Sequence, residues 1–149
     1  YFQELESHIM LGFSGIDRLS DVHAKQQVDN IRSGKSEEYL KAIVSIAEEA
    51  NTLFYNAAPL KYIGELLNEQ WEYKRQLTDD VTNDYIDRIY NKAISAGAHG
   101  GKLMGAGGGG FFMFLAPPEA HERIKLAIPE INVWVPFKFD FEGSTIIME

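Results

Sequence analysis

Apolar positions recur along the chain at first consecutively, then at intervals of three and four, then at intervals of one and two. His8-Ile9-Met10-Leu11-Gly12-Phe13 is a short, nearly unbroken apolar run. It predicts a buried strand, and Glu4 to Phe13 reads as leading straight into it. Ser14-Gly15 breaks the run. Ser20 stands at an N-cap position with Asp21 just inside. Val22, Val28 and Ile31 give this helix a weak apolar side, and Gly34 closes it. Ser36 caps a second helix, whose Tyr39, Leu40, Ile43, Val44, Ala47, Ala50, Leu53 and Phe54 make a strong amphipathic stripe. Pro59 opens a third at its first turn, with Leu60, Ile63, Leu66, Leu67 and Trp71 inward. Leu77 to Asp80 is a polar break. A fourth helix follows from about Thr82 and stops at Gly97, with Tyr85, Ile86, Ile89, Tyr90, Ala93 and Ile94 inward.

Strand patterns then take over. Phe111 to Leu115 is a second apolar run, stopped by Ala116-Pro117-Pro118. Glu119 to Ile128 predicts a short helix ended by Pro129. Val133, Val135, Phe137, Phe139 and Phe141 alternate with Trp134, Pro136, Lys138 and Asp140, the period of a half-buried strand. Pro136 cannot donate to a ladder, which predicts an edge position or a bulge there. Glu142-Gly143 makes a turn, and Thr145 to Met148 reads as a last strand. Helices segregated from a mostly antiparallel sheet predict an α+β fold, a ferredoxin-like split β-α-β with additional helices, as a single domain over residues 1–149.

Composition narrows the function classes. A length of 149 residues suits one domain with a real core. No apolar stretch is long enough to span a bilayer, so no membrane association is expected. The net charge of −8 and a pI near 5.0 argue against a nucleic-acid surface. There is no cysteine, hence no disulfide or thiolate metal site; with no visible signal peptide, a cytoplasmic location is the expectation. The first residue is Tyr1, not Met. Tyr1-Phe2-Gln3 reads either as a protease-site scar or as native sequence, and the run into the first strand favours a fragment of a longer protein.

The chemistry concentrates at Gly100-Gly101-Lys102-Leu103-Met104-Gly105-Ala106-Gly107-Gly108-Gly109-Gly110-Phe111. Such a run costs backbone entropy and needs a reason, either positive φ angles or close approach to the backbone. The predicted place is a loop between two strands. Gly105, Gly107 and Gly110 match the spacing of a dinucleotide fingerprint, but Phe111 to Leu115 does not begin the helix that motif needs. A phosphate loop of the Walker type needs Lys after the glycines, and Lys102 precedes them. Protein-kinase loops come with His-Arg-Asp and Asp-Phe-Gly signatures downstream, and neither is here. Lys102 to Gly110 resembles the third motif of the GHMP small-molecule kinases, roughly K-[LMI]-[TMS]-G-A-G-x-G-G. A second segment, Phe13-Ser14-Gly15-Ile16-Asp17-Arg18-Leu19-Ser20, is similar to the Tyr-Thr-Gly-x-x-Arg-x-Ser/Ala segment of the branch that holds fucokinases and D-glycero-D-manno-heptose 7-phosphate kinases. Phe13 and Ser14 stand where that branch usually has Tyr and Thr. The closing Phe-x-Phe-x-x-x-Gly-Ser/Thr segment follows in the expected order.

The resemblance covers most of the chain and implies the C-terminal domain of a two-domain kinase. It implies that Lys102, Gly105, Ala106, Gly107, Gly108 and Gly109 shape a catalytic cleft between the domains. Backbone N–H groups unobstructed by side chains can cradle an anion there. Arg18, beside a helix start, is the candidate for a sugar phosphate together with Ser14, Gly15 and Ser20; an ion pair with Asp17 or Asp21 is the plain alternative. ATP and Mg²⁺ are the implied cofactors of the parent kinase. The main ATP loop, Pro-x-x-x-Gly-Leu-Gly-Ser-Ser, and the acidic catalytic residue belong in this family to the N-terminal domain. Neither motif occurs in this chain, so none of its own residues is assigned as catalytic and no cofactor is expected for it alone. The implied partners are a sugar phosphate and that N-terminal domain, and the implied reaction is γ-phosphoryl transfer to a sugar hydroxyl.

Other residues carry less. His8, His23, His99 and His121 have no metal-ligand spacing. Asp79, Asp80, Asp84 and Asp87 are explained by a helix N-terminal turn, and no metal site is expected. Trp71, Tyr73 and Trp134 read as core and rim packing. Two further functional readings stand beside the kinase: a non-catalytic ferredoxin-like module that binds a small anion, and an interaction domain whose loop takes no ligand.

Overall fold

Four strands, β1 (Ile9–Phe13), β2 (Gly100–Leu103), β3 (Phe111–Leu115) and β4 (Val133–Val135), pair antiparallel in the order β2-β3-β1-β4. The helices are α1 (Phe2–His8), α2 (Glu37–Tyr55), α3 (Leu60–Arg75), α4 (Asp84–Ser95) and α5 (His121–Ala127), the last preceded by a 3₁₀ turn at Pro118–Ala120. Residues 28–32 are helical as well. The structure, a computed structural model, describes residues 1–16, 28–77, 81–105 and 109–144. The helix start expected at Ser20, the end of the polar break and the strand expected at 145–148 lie outside the described residues.

Period-two alternation splits the sheet into two faces. Met10, Leu103, Phe112 and Phe114 point to one side and join Ile86, Ile89, Tyr90 and Ala93 of α4 and Ile124 of α5 in the main core. The Phe112 and Phe114 rings stack there, 5.4 Å apart and nearly parallel. Burying a large apolar side chain contributes roughly 1.5–3 kcal/mol, and this layer holds a dozen or more such groups. The strand order and the two helices on one face are those of a ferredoxin-like split β-α-β, the α+β fold expected. The second face is covered by the additional elements: Leu5 of α1 and Leu60 and Ile63 of α3 pack on Leu115. An apolar hollow of about 440 Å³ remains between this face and α2, bounded by Ile46, Met113 and Phe139 among others.

One close approach seats α3 on the sheet. A Cβ added at Gly100 would lie 1.8 Å from the Gly64 carbonyl oxygen, and one at Gly64 would lie 2.3 Å from His99 Cβ. Only two residues without side chains let helix backbone and strand backbone touch in this way. Side chains then lock α3 to α4: Arg75 pairs with Asp87 at 3.0 Å and with Glu72 at 3.1 Å, and Thr82 donates to Asp87. Asp87 is thus engaged by protein groups. The fourth helix starts at Asp84 rather than Thr82, because Asn83 is a true N-cap whose Oδ1 accepts from Tyr85 and Ile86 N–H at 3.0 Å each. Ser36 occupies the N-cap position of α2 without a side-chain capping bond.

Two elements differ from expectation. Residues 2–8 form a helix, which too few buried positions betray, since only Leu5 is buried. The C-terminal strand is short: pairing stops at Val135, and Pro136, with no N–H, ends it at the edge of the sheet. Trp134 turns inward because it pairs with Gly12, whose missing side chain leaves room for the indole; a Cβ there would stand 2.9 Å from the ring. Val133 and Val135 are exposed in consequence. Beyond Pro136 the chain is pinned instead to α1, where Phe139 N–H donates to Glu6 at 2.9 Å.

Two stability outcomes follow from these contacts. Gly100→Ala is expected to cost at least about 3 kcal/mol, the upper end of ordinary overpacking, because the obstacle is backbone. Asn83→Ala is expected to cost about 1 kcal/mol through the lost cap. Urea denaturation of both variants beside wild type measures these; a Gly100→Ala midpoint equal to wild type would show that α3 is not held by this contact.

Candidate functional site

The glycine run connects β2 to β3 as a hairpin, as its flanking patterns predict. Met104 N–H donates to Phe111 O at 2.7 Å and closes the ladder at the loop neck. Gly105 and Gly110 stand on either side of the run at φ +90° and +102°, the left-handed region that a Cβ disfavours. Ala106, Gly107 and Gly108 lie outside the described residues.

The second motif meets the first at this end of the sheet. Ser14 N–H donates to Gly110 O at 2.8 Å, and Gly110 N–H donates to Ile16 O at 3.0 Å. These bonds continue the β1–β3 ladder past Phe13 and Phe111, whose rings pack 5.2 Å apart. A Cβ at Gly109 would fall 2.7 Å from Ile16 O, so the loop returns directly against the Ser14–Ile16 turn. Two stretches almost a hundred residues apart in sequence thus form one edge. Ser14 is fully buried, and its Oγ accepts the Ile16 N–H at 3.3 Å. Gly15 beside it is exposed, at φ +77°. Arg18 and Ser20 lie outside the described residues, as do His23, Asp79 and Asp80.

Two residues that sequence reading did not assign to the site hold this edge. Tyr85, in the first turn of α4, donates its hydroxyl to Ser14 O at 2.9 Å. Its helical spacing marks it as inward-facing and carries no sign of what its hydroxyl reaches. Lys74, in the last turn of α3, donates to Leu103 O at 3.1 Å and to Gly105 O at 2.7 Å. Burial pushes its pKa down to about 8, with repulsion from Lys102 adding to the shift. Lys102 is itself half-buried, and burial lowers its pKa. Its side chain lines the apolar hollow beside Met113.

The remaining polar candidates are spread out. His99 sits at the opposite end of β2 from the loop, where its N–H donates to Leu115 O. His8 and His121 bond backbone carbonyls at 2.8 and 3.0 Å. Trp71 is fully buried in the core, and Tyr90, whose phenol burial pushes well above its ordinary pKa, donates to Asn68 at 2.8 Å. Among the described residues, no three His, Asp or Glu side chains stand close enough to hold a metal ion, and no helix is long and apolar enough to cross a membrane. Among the described residues the site is thus a glycine hairpin bonded to the Ser14–Ile16 turn, with the Lys74 ammonium at its neck.

Comparisons with known proteins place the chain in a family. The model of the C-terminal family of GHMP kinases matches residues 53–132, from the end of α2 to the start of β4. The D-glycero-alpha-D-manno-heptose 7-phosphate kinase of Campylobacter jejuni is 32% identical over 141 residues, which are 94% of this chain and 41% of that protein. The bifunctional fucokinase/GDP-fucose pyrophosphorylase of Arabidopsis thaliana is 27% identical over 76% of this chain and 11% of its own length. The solved L. major mevalonate kinase superposes with a TM-score of 0.76 at 20% identity, over 85% of this chain and 40% of that one, which shows the common fold. The chain spans less than half the length of each of these proteins. With the ferredoxin-like sheet, the glycine hairpin and the matched family region all in register, the chain belongs to the GHMP kinase C-terminal family.

Proposed function

We propose that this chain is the C-terminal part of an ATP-dependent sugar kinase acting on a heptose 7-phosphate-like substrate. In this reading its glycine loop lines a cleft shared with an N-terminal domain. One observation carries it: the Ser14–Ile16 turn and the Gly109–Gly110 end of the loop are bonded into a single edge. The two motifs that the family resemblance assigns to sugar phosphate and to transferred phosphate are therefore neighbours. The names of the Campylobacter and Arabidopsis relatives support the substrate class.

In such a reaction the γ-phosphorus of ATP leaves the β-phosphate oxygen and bonds to a sugar hydroxyl oxygen, whose proton is lost. Catalysis of this transfer is mainly positioning and charge stabilisation. The amides from Gly105 to Gly109 are the proposed anion cradle, with Lys102 adding positive charge. Arg18 holds the phosphate already on the sugar, and Ser14, Gly15 and Ser20 shape the turn that presents it. Buried Ser14 does so through its bond to Ile16. The acidic residue that takes the proton and the main ATP loop are assigned to the N-terminal domain.

Three measurements test the reading. The full-length protein is expected to consume ATP in the presence of a heptose 7-phosphate, and the 149-residue chain alone is not. Sugar-dependent turnover by the isolated chain, or none by the full-length protein with any sugar phosphate, would sink it. Gly107→Val should abolish most turnover while the melting temperature stays near wild type, since a β-branched side chain fills the space of a phosphate. Activity that falls only with the folded fraction would make the loop structural. Arg18→Lys keeps the charge and loses the planar fork. A bond to a charged group is worth about 1.5–3 kcal/mol, so the sugar-phosphate KM or kcat/KM should worsen about ten- to a hundredfold while the KM for ATP is unchanged. Equal kinetics for both substrates would return Arg18 to the role of a surface ion-pair residue.

A further inference from the structure

We propose that Lys74 is the positioning residue of the glycine loop, fastening the point where the run leaves β2. Its Nζ reaches two carbonyls that flank Met104, those of Leu103 at 3.1 Å and Gly105 at 2.7 Å. A carbonyl and the N–H of the same planar peptide point in opposite directions. The Leu103–Met104 peptide obeys this: its oxygen faces Lys74 and its N–H faces Phe111 O. The second bond takes the Gly105 carbonyl, at a residue whose φ of +90° leaves the direction of the chain weakly specified by the backbone itself. One ammonium thus gathers the carbonyls on either side of Met104 at the entry to the loop.

The surroundings give this amino group no competing task. Lys102 on β2 is the charge that acts on it most, and it repels. The Trp71 ring lies 5.9 Å from Nζ, and Arg75, the next residue of α3, is taken by Glu72 and by Asp87 of α4. No carboxylate pairs with Lys74 among the described residues. A charged group half withdrawn from water, and bonded to backbone oxygens alone, has its orientation fixed by those oxygens. The inference deepens the kinase reading and rests on it only where turnover is concerned.

The lowered pKa gives the proposal a signature that separates positioning from support of the fold. Folded Lys74 titrates near 8, against about 10.5 in the unfolded chain. Between these values the unfolded chain binds more protons, so the contribution of this group to stability rises with pH. Its charge-assisted bonds to the loop weaken over the same range. Turnover should therefore fall above pH 8 without a matching loss of stability from Lys74.

The test uses the full-length protein with Lys74→Met, which keeps the stem and removes the donors, and Lys74→Arg, which keeps a charge that does not titrate. Hydrogen exchange at Met104 and Gly110 should speed up at least about tenfold in Lys74→Met, which removes both charge-assisted bonds, while Phe112 and Phe114 in β3 exchange as in wild type. Lys74→Arg should restore most of that protection. kcat should fall in Lys74→Met with the KM for ATP unchanged, and the alkaline decline near pH 8 should be absent from Lys74→Arg. Unchanged exchange at Met104 and Gly110, or an equal rise at Phe112 and Phe114, would overturn the assignment, and so would an alkaline limb that persists in Lys74→Arg. The exchange experiment needs no turnover, so failure of the kinase reading would show separately, as absent sugar-dependent ATP consumption beside altered loop exchange.

Discussion

The touch of backbone on backbone between Gly64 and Gly100 is the constraint on which the site depends. Helices normally stand off a sheet by the depth of two layers of side chains. Here a helical glycine and a strand glycine remove both layers at one point. From that point α3 runs on beside β2, ten residues at a rise of about 1.5 Å each, until Lys74 comes level with the strand's end. A helix held further out would leave its amino group short of the Leu103 and Gly105 oxygens. Trp71, about two turns beyond Gly64 on the same helix, buries fully against Tyr90.

The fold and the place of the glycine hairpin within it were legible in the chain. The apolar runs at residues 9–13 and 111–115 and the helical stripes from Leu60 and Tyr85 onward are local signals, and each lies where its pattern puts it. The glycine hairpin was legible because glycine and lysine in fixed register have few other uses. What local pattern does not carry is a hydroxyl or an ammonium that acts at a distance. Tyr85 and Ser14 are 71 residues apart, and Lys74 and Gly105 are 31 apart. Both residues sit on amphipathic helices where an inward or half-inward place already explains them. Alternation also gives the period of a strand but not its phase, and in β4 the phase was decided by the empty space over Gly12.

Charge is distributed against the overall balance of the molecule. The chain carries a net −8, yet the glycine loop is approached by Lys74 and Lys102, both with lowered pKa values. Acidic groups near this end are consumed locally, Asp87 by Arg75 and Thr82, and Glu72 by Arg75. The loop neck is thus a cationic point on an acidic body. Coulomb steering falls off over about 10 Å at ordinary ionic strength, so an anionic ligand would be drawn by these neighbours rather than by the molecule as a whole.

The pair of bonds that joins Ser14 and Ile16 to Gly110 has a consequence for how such proteins can diverge. Each turn takes its conformation from the other, with Tyr85 bracing the junction from a third element. Neither can be lengthened, shortened or transplanted by itself without orphaning backbone groups in its neighbour. The turn after β1, the return of the hairpin and the first turn of α4 are therefore inherited as a cassette that travels together or not at all. A chimera that swaps only one of the three carries a mismatched seam, with backbone groups that no longer meet.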